Sequence, residues 1–207
     1  MNKKQLAVIL SRLKGFDKPD VRLEQYQTDS EIAAETLWDA YMHGNINGKK
    51  VADLGCGAGI FGIGAAILGA AEVFMVDIDE KAISLARQNK ALAEGILGDK
   101  LIIEIINADI LSFRKKVDTV VQNPPFGVQK SHTDKAFLLK AMETADVIYS
   151  MHKAESKAFI ERFSAEHGFK VSAVKLFKFP LRRTLLFHRR KVYYFDAGVW
   201  RIERFKR

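Results

Sequence analysis

The stretch Val51–Gly64, "VADLGCGAGIFGIG", decides the fold. It opens as a short apolar run, breaks at Gly55, Gly57 and Gly59, and resumes with small and apolar residues at helical spacing. That is a strand, a tight turn and a helix. Glycines let a ligand approach the backbone closely, and the helix behind them offers its N-terminal N–H groups. The window Gly57–Gly62 also matches G-x-G-x-x-G. Taken alone, such a turn fits a nucleotide-type ligand and a purely structural bend equally well, so the flanking sequence has to decide.

Downstream the chain alternates. "AEVFMVD" (71–77), "KLIIEII" (100–106), "VDTVVQN" (117–123) and "DVIYSM" (146–151) read as strands. Between and after them, "DEKAISLARQNKALAEG" (79–95), "TDKAFLLKAMETA" (133–145) and "KAESKAFIERFSAEHG" (153–168) read as helices, the first closed by Gly95 and the last by Gly168. Strands that are apolar throughout and alternate with helices imply a parallel sheet covered on both faces, an open doubly wound α/β fold. The tail, "KVSAVKLFKFP" (170–180), "TLLFHRRK" (184–191) and "KVYYFDAGVWRIERF" (191–205), is β-rich and predicts an antiparallel edge. Upstream, a helix is expected over Lys3–Leu13, then an extended connection, then a helix from Ser30 to His43 with a capping box from Thr28 to Glu31. The 207 residues read as one domain, 1–207, with a helical extension to about residue 45 and a basic tail from about residue 170.

In an open α/β sheet a ligand binds at the carboxyl ends of the strands. Asp77 closes the strand after the glycine loop, 18 residues beyond Gly59, where a carboxylate can accept both hydroxyls of a ribose. Asp109, in "IINADIL", can accept from an exocyclic amine of a purine. A glycine loop and two acids on three successive strand ends point to a bound nucleoside. Asp53 precedes the first glycine and would repel a pyrophosphate while favouring a cation. S-adenosylmethionine, with its sulfonium and ammonium groups, therefore fits better than a dinucleotide.

The fourth strand runs into "NPPFG" (123–127). Proline cannot continue a sheet ladder, so Pro124 and Pro125 end the strand and stiffen the turn after it. Asn123 and the carbonyl of Pro124 supply acceptors for the two N–H bonds of a planar amine. Phe126 supplies a face on which a flipped-out base can stack. The same clamp also suits N2 of guanine or a glutamine side-chain amide. A non-catalytic RNA-binding factor on the same fold is the reading from another class.

Charge points to the substrate. Lys175–Arg207 holds eleven of the 33 Lys and Arg but two of the 25 acids, so the preceding residues sum to −1 and the whole +8 excess is in the tail. Arg182, Arg183, Arg189, Arg190 and Lys191, interleaved with aromatics, suit a nucleic-acid backbone. The single cysteine, Cys56, excludes an internal disulfide, and no metal-ligand spacing is present. The start lacks a signal peptide and no apolar run is long enough to span a bilayer, so a cytoplasmic location is expected.

"LEQYQT" (23–28), "VADLGCGAGIFGIGAAILGA" (51–70), "DIDEKAI" (77–83), "NPPFG", "TDKAFLLKA" (133–141) and "YSMHK" (149–153) together resemble the class I S-adenosylmethionine-dependent N6-adenine methyltransferases. The likeness is closest to the methyltransferase-like-five family, which modifies an adenine of small-subunit ribosomal RNA. The resemblance implies a seven-stranded, mostly parallel Rossmann-like sheet. It also implies cofactor contacts from Gln25, Thr28, Asp53, Gly55, Gly57, Ala58, Gly59, Ile60, Asp77, Ile78, Asp109 and Ile110, and a catalytic clamp from Asn123 to Phe126. Some family members work with a small zinc-containing activator protein. His152 and Lys153 read either as a surface pair or as a contact to substrate phosphate.

Overall fold

The structure is a computed structural model that describes residues 1–16, 28–125, 133–182 and 192–205. In chain order its elements are α1 (Lys3–Leu10), α2 (Ser30–Met42), β1 (Lys50–Leu54), α3 (Ile60–Ile67), β2 (Glu72–Asp77), α4 (Glu80–Leu97), β3 (Ile103–Asn107), β4 (Thr119–Gln122), α5 (Thr133–Thr144), β5 (Val147–Lys153), α6 (Lys157–Glu166), β6 (Phe169–Arg182) and β7 (Val192–Arg204). The seven strands form one sheet in the order β3-β2-β1-β4-β5-β7-β6. The first five run parallel; β7 is antiparallel to β5, and β6 to β7. The order reverses between β1 and β4, which creates the crevice in which doubly wound sheets hold ligands.

Because successive side chains of a strand face opposite ways, each buried strand feeds two cores. Val51, Val73 and Met75 pack on one face with Leu6, Leu10, Leu37, Ile63 and Ile83 of the first four helices. Ala52, Leu54, Phe74 and Val76 pack on the other with Leu138, Ile160 and Phe163 of α5 and α6. A fully buried Leu or Ile contributes ~1.5–3 kcal/mol relative to exposure. Among the described residues no helix is long and apolar enough to cross a membrane.

Boundaries differ from the sequence reading at several elements, among them α4, α1 and α2. The helix α4 does not stop at Gly95 but runs to Leu97, and Gly98 caps it with a φ of 72°. The Glu94 carboxylate explains the extra turn: it accepts from Leu101 N–H at 3.0 Å and pairs with Lys90 and Lys100 at 3.0 and 3.2 Å, tying the helix end to the next strand. The helix α1 ends at Leu10, and residues to Leu13 form a turn. The cap of α2 is Asp29, whose carboxylate accepts from Glu31 N–H at 2.9 Å and from Ile32 N–H, in place of the expected Thr28 box.

The tail forms two long strands. β7 pairs with β5 from Val147↔Glu203 to Lys153↔Ala197. The β6–β7 pairing continues for five more pairs, from Lys178↔Asp196 to Arg182↔Val192. At about 3.4 Å per residue the hairpin stands ~17 Å beyond the end of β5, on the side of the sheet where the parallel strands end. "TLLFHRRK" lies outside the described residues.

Candidate active site

The carboxyl ends of β2, β1 and β4 lie side by side and carry the predicted cofactor loop, its acid and the clamp. After β1 the chain folds back over β2: Gly55 N–H and Cys56 N–H both donate to the Val76 carbonyl, at 2.8 and 3.0 Å. Gly59, with a φ of 86°, sits at the N-terminus of α3, a left-handed conformation that a side chain resists. Gly62 serves a different need. A Cβ there would lie 2.4 Å from Met75 Cγ, so its absence lets α3 rest directly on β2. Gly55 likewise makes room for the Phe137 ring of α5, which would be 2.8 Å from an added Cβ.

Two carboxylates hold this loop. Asp53, 1% exposed, accepts from Gly62 N–H at 2.8 Å. Burial pushes its carboxyl up to about 7, with the Gly62 N–H opposing and Asp77 adding to the rise. Asp77 accepts from Gly57 N–H at 2.8 Å and from Asp79 N–H at 2.9 Å. Burial raises its pKa too, against the pull of those N–H groups. Ala58 and Ile60 are buried within the loop and the first turn of α3. A pyrophosphate placed here would meet two acids, whereas a nucleoside with a cationic side chain meets complementary charge.

Asp109 is exposed and caps a short 3-10 turn, accepting from Leu111 N–H at 2.8 Å. The side chain of Ile110 is 7% exposed and belongs to the second core. Ile78, next to Asp77, and Leu111, two residues after Asp109, are large apolar side chains left 64% and 52% exposed. Cys56 is buried and its thiol pushed well up by burial, then by Asp53 and Asp77; it is an inert small residue.

Sequence reasoning missed Asn89. From α4, and fully buried, it accepts from Lys14 N–H at 2.8 Å and donates to the Lys14 and Ala58 carbonyls, both at 2.9 Å. It thereby pins the N-terminal segment to the glycine loop, and Phe16 reaches to 3.8 Å from where a Gly57 Cβ would stand. In the sequence Asn89 is one polar residue inside a helix, and its partner lies 75 positions away. No local pattern marks it. Phe137 was also passed over, because an aromatic in an amphipathic helix reads as core.

At the end of β4, Pro124 is buried and Pro125 half-buried. Asn123 Nδ2 donates to Thr28 Oγ at 3.0 Å, while Asn123 Oδ1 is buried with no hydrogen-bond partner. One residue back, Gln122 Nε2 donates to Ser150 Oγ at 2.9 Å, and Ser150 Oγ lies 2.7 Å from His152 Nε2. His152 is 3% exposed, edge-on to Trp200, and burial lowers its pKa to about 3. It is a neutral core histidine, neither a surface residue nor a phosphate contact. Gln25, Phe126, Arg183, Arg189, Arg190 and Lys191 lie outside the described residues. Arg182 ends β6 opposite Val192, in the hairpin that projects past the site.

The methyltransferase small domain family matches residues 28–147. The rRNA N(6)-adenosine-methyltransferase METTL5 of Danio rerio is 34% identical over 92% of this chain and 93% of its own length. The Drosophila melanogaster enzyme of the same name is 32% identical over 97% and 95%. The crystal structure of PH1948 from Pyrococcus horikoshii, 43% identical, covers 100% of this chain and 99% of its own with a TM-score of 0.90. With a loop, an acid pair and an Asn-Pro-Pro strand end assembled at one crevice, and full-length relatives of this kind, the chain belongs to the methyltransferase small domain family and, within it, to the METTL5 group of methyltransferases.

Proposed function

We propose that this protein transfers the methyl group of S-adenosylmethionine to the N6 amine of an adenine in ribosomal RNA, with small-subunit RNA as the substrate. The observation that carries the reading is Asn123 Oδ1, a buried acceptor without a partner at the strand end beside the cofactor loop. A buried acceptor left unsatisfied costs about 1–3 kcal/mol, so such a group persists where a ligand completes it.

The chemistry follows from the acceptor. The lone pair of N6 is delocalised into the purine, which makes it a poor nucleophile. Asn123 Oδ1 and the Pro124 carbonyl take its two N–H bonds, hold the amine and favour pyramidal nitrogen, and Phe126 stacks on the base. Bound S-adenosylmethionine supplies an electrophilic methyl on sulfonium sulfur. The methylated nitrogen is then acidic and gives up its proton without a strong base, which agrees with an uncharged amide, Asn123, at the reacting amine. Asp77 takes the ribose hydroxyls, Asp109 the cofactor's adenine, and Ile78 covers that ring.

An RNA substrate is supported by charge: Arg182 ends β6 in the projecting hairpin, and Arg183, Arg189, Arg190 and Lys191 follow it in the sequence. A small zinc-containing activator would have the outer edge of β3 to cover, where Ile102 is 65% exposed beside the last paired strand. The protein works in the cytoplasm on this reading.

The test is transfer of labelled methyl to total RNA, followed by digestion to nucleosides and mass spectrometry. Label in N6-methyladenosine is expected. Label in N2-methylguanosine would keep the clamp and overturn the base, and label on glutamine of a protein would overturn the RNA.

A further inference from the structure

We infer that Thr28 is a positioning residue that sets which end of the Asn123 amide faces the acceptor amine; this rests on the function proposed above. The oxygen and nitrogen ends of an asparagine side chain have nearly the same shape, so packing alone does not choose between them. Reversed, the amide would aim two N–H groups at an amine that also offers N–H, and the clamp would repel its substrate. A neighbour must therefore fix the amide, and Thr28 Oγ is that neighbour, 3.0 Å from Asn123 Nδ2.

Three observations support the assignment. Thr28 is only 5% exposed, so water does not compete for its hydroxyl. It is relieved of helix capping, which Asp29 performs alone. Asn123 Oδ1 is left buried and unpartnered, the state in which the amide is ready for a donor. A hydroxyl can serve an amide in either sense, as donor to its oxygen or acceptor from its nitrogen. The sense is settled by where the hydroxyl proton goes. A proton directed to an anionic group of the cofactor leaves Thr28 only lone pairs for Asn123. Cofactor binding then locks the clamp in its productive sense, and the base enters a finished site.

The experiment compares Thr28→Val, which keeps the shape and deletes the hydroxyl, with Thr28→Ser, which keeps the hydroxyl. Single-turnover transfer is measured at saturating cofactor and RNA, so that any loss of cofactor affinity does not enter. The valine variant is expected to slow transfer about tenfold, the worth of one neutral hydrogen bond at the barrier. Serine is expected to restore it to within about threefold. Wild-type speed in the valine variant would overturn the inference, and so would equal slowing in both. A second readout needs no turnover. The Asn123 side-chain NH2 protons, identified as the resonance pair lost in Asn123→Asp, should exchange with solvent about tenfold faster in Thr28→Val or Thr28→Ala than in the wild type. Equal exchange would overturn the inference by itself. If the wild type labels a different planar amine, the proposed substrate falls, while the Thr28 effect on that transfer still decides this point.

Discussion

The two halves of the crevice are finished to different degrees. On the cofactor side the polar groups are already engaged: Asp53 with Gly62, Asp77 with Gly57 and Asp79, Asn89 with Lys14 and Ala58. On the acceptor side Asn123 Oδ1 is buried with no partner. A small cofactor that recurs in every turnover rewards a loop built in advance, since preorganisation removes ordering costs from binding. On the proposed function the acceptor is one base of a large RNA, which has to be drawn out of its stack. Leaving the acceptor side unsatisfied reserves its hydrogen bonds for that base.

The sharpest way to break this contrast is Asn123→Ala. It should lower transfer by 10²–10³-fold or more, the scale of losing one preorganised hydrogen-bonding group at a reacting centre. Cofactor affinity, measured by calorimetry, should stay within about twofold. A parallel loss of cofactor binding would show that the halves are not separate and that Asn123 serves the cofactor.

The next effect concerns the substrate alone. Replacing Arg189, Arg190 and Lys191 together by Ala should reduce the slope of log K against log salt by about 2, at ~0.7 per single-strand phosphate contact. That corresponds to about 100-fold weaker RNA binding at 0.1 M salt, with cofactor binding untouched. An unchanged slope would place the RNA on another surface.

A third substitution acts from the cofactor side. Asn89→Leu removes three hydrogen bonds and leaves partly buried peptide groups at Lys14 and a buried carbonyl at Ala58 unpaired. A loss of about 3 kcal/mol is expected, or roughly 6–12 °C in Tm for a chain of this length. Added S-adenosylmethionine should also raise the Tm less than it does for the wild type. Full stabilisation by the cofactor would mean that Asn89 tethers the N-terminal segment without shaping the loop.

Legibility in the sequence divides along the same line. The parallel sheet, its glycine loop, Asp77 and the Asn-Pro-Pro strand end are local patterns: strand runs, turn residues and an abrupt stop. Each can be read from a window of about ten residues because the physics that produces it acts over one or two turns. Asn89 and the Thr28–Asn123 bond join positions 75 and 95 apart, and single polar residues carry no trace of a distant partner. The Thr28 capping box failed for a nearby reason. Asp29 reaches Glu31 N–H and Ile32 N–H with a carboxylate, the stronger acceptor, and displaces the hydroxyl. His152 was misplaced because "YSMHK" shows the end of a strand but not that β7 pairs beside it, with Gly198 opposite His152 and Trp200 at the ring.

The smallest effect tests the charge logic of the cofactor half through pH. An isolated aspartate titrates near 3.9, whereas burial holds Asp53 to about 7. The folded protein therefore keeps a proton that the unfolded chain has lost between about pH 4 and 7, and Asp53 makes stability fall as pH rises through that window. A cationic ligand beside the loop prefers the ionised acid and pulls the other way. Affinity for S-adenosylmethionine should thus rise up to about tenfold from pH 6 to 7.5 and then flatten, with proton release on binding visible below pH 7. Cys56 stays neutral throughout this range, because burial and both acids push its thiol up. The carboxylate of Asp77 shares the trend in weaker form, held down by two N–H bonds. In Asp53→Asn most of the rise should vanish, and binding at pH 7.5 should fall to about the level of the wild type at pH 6. A variant that kept the full rise would hand the charge recognition to Asp77 and leave Asp53 as the acceptor that fastens α3 to β1.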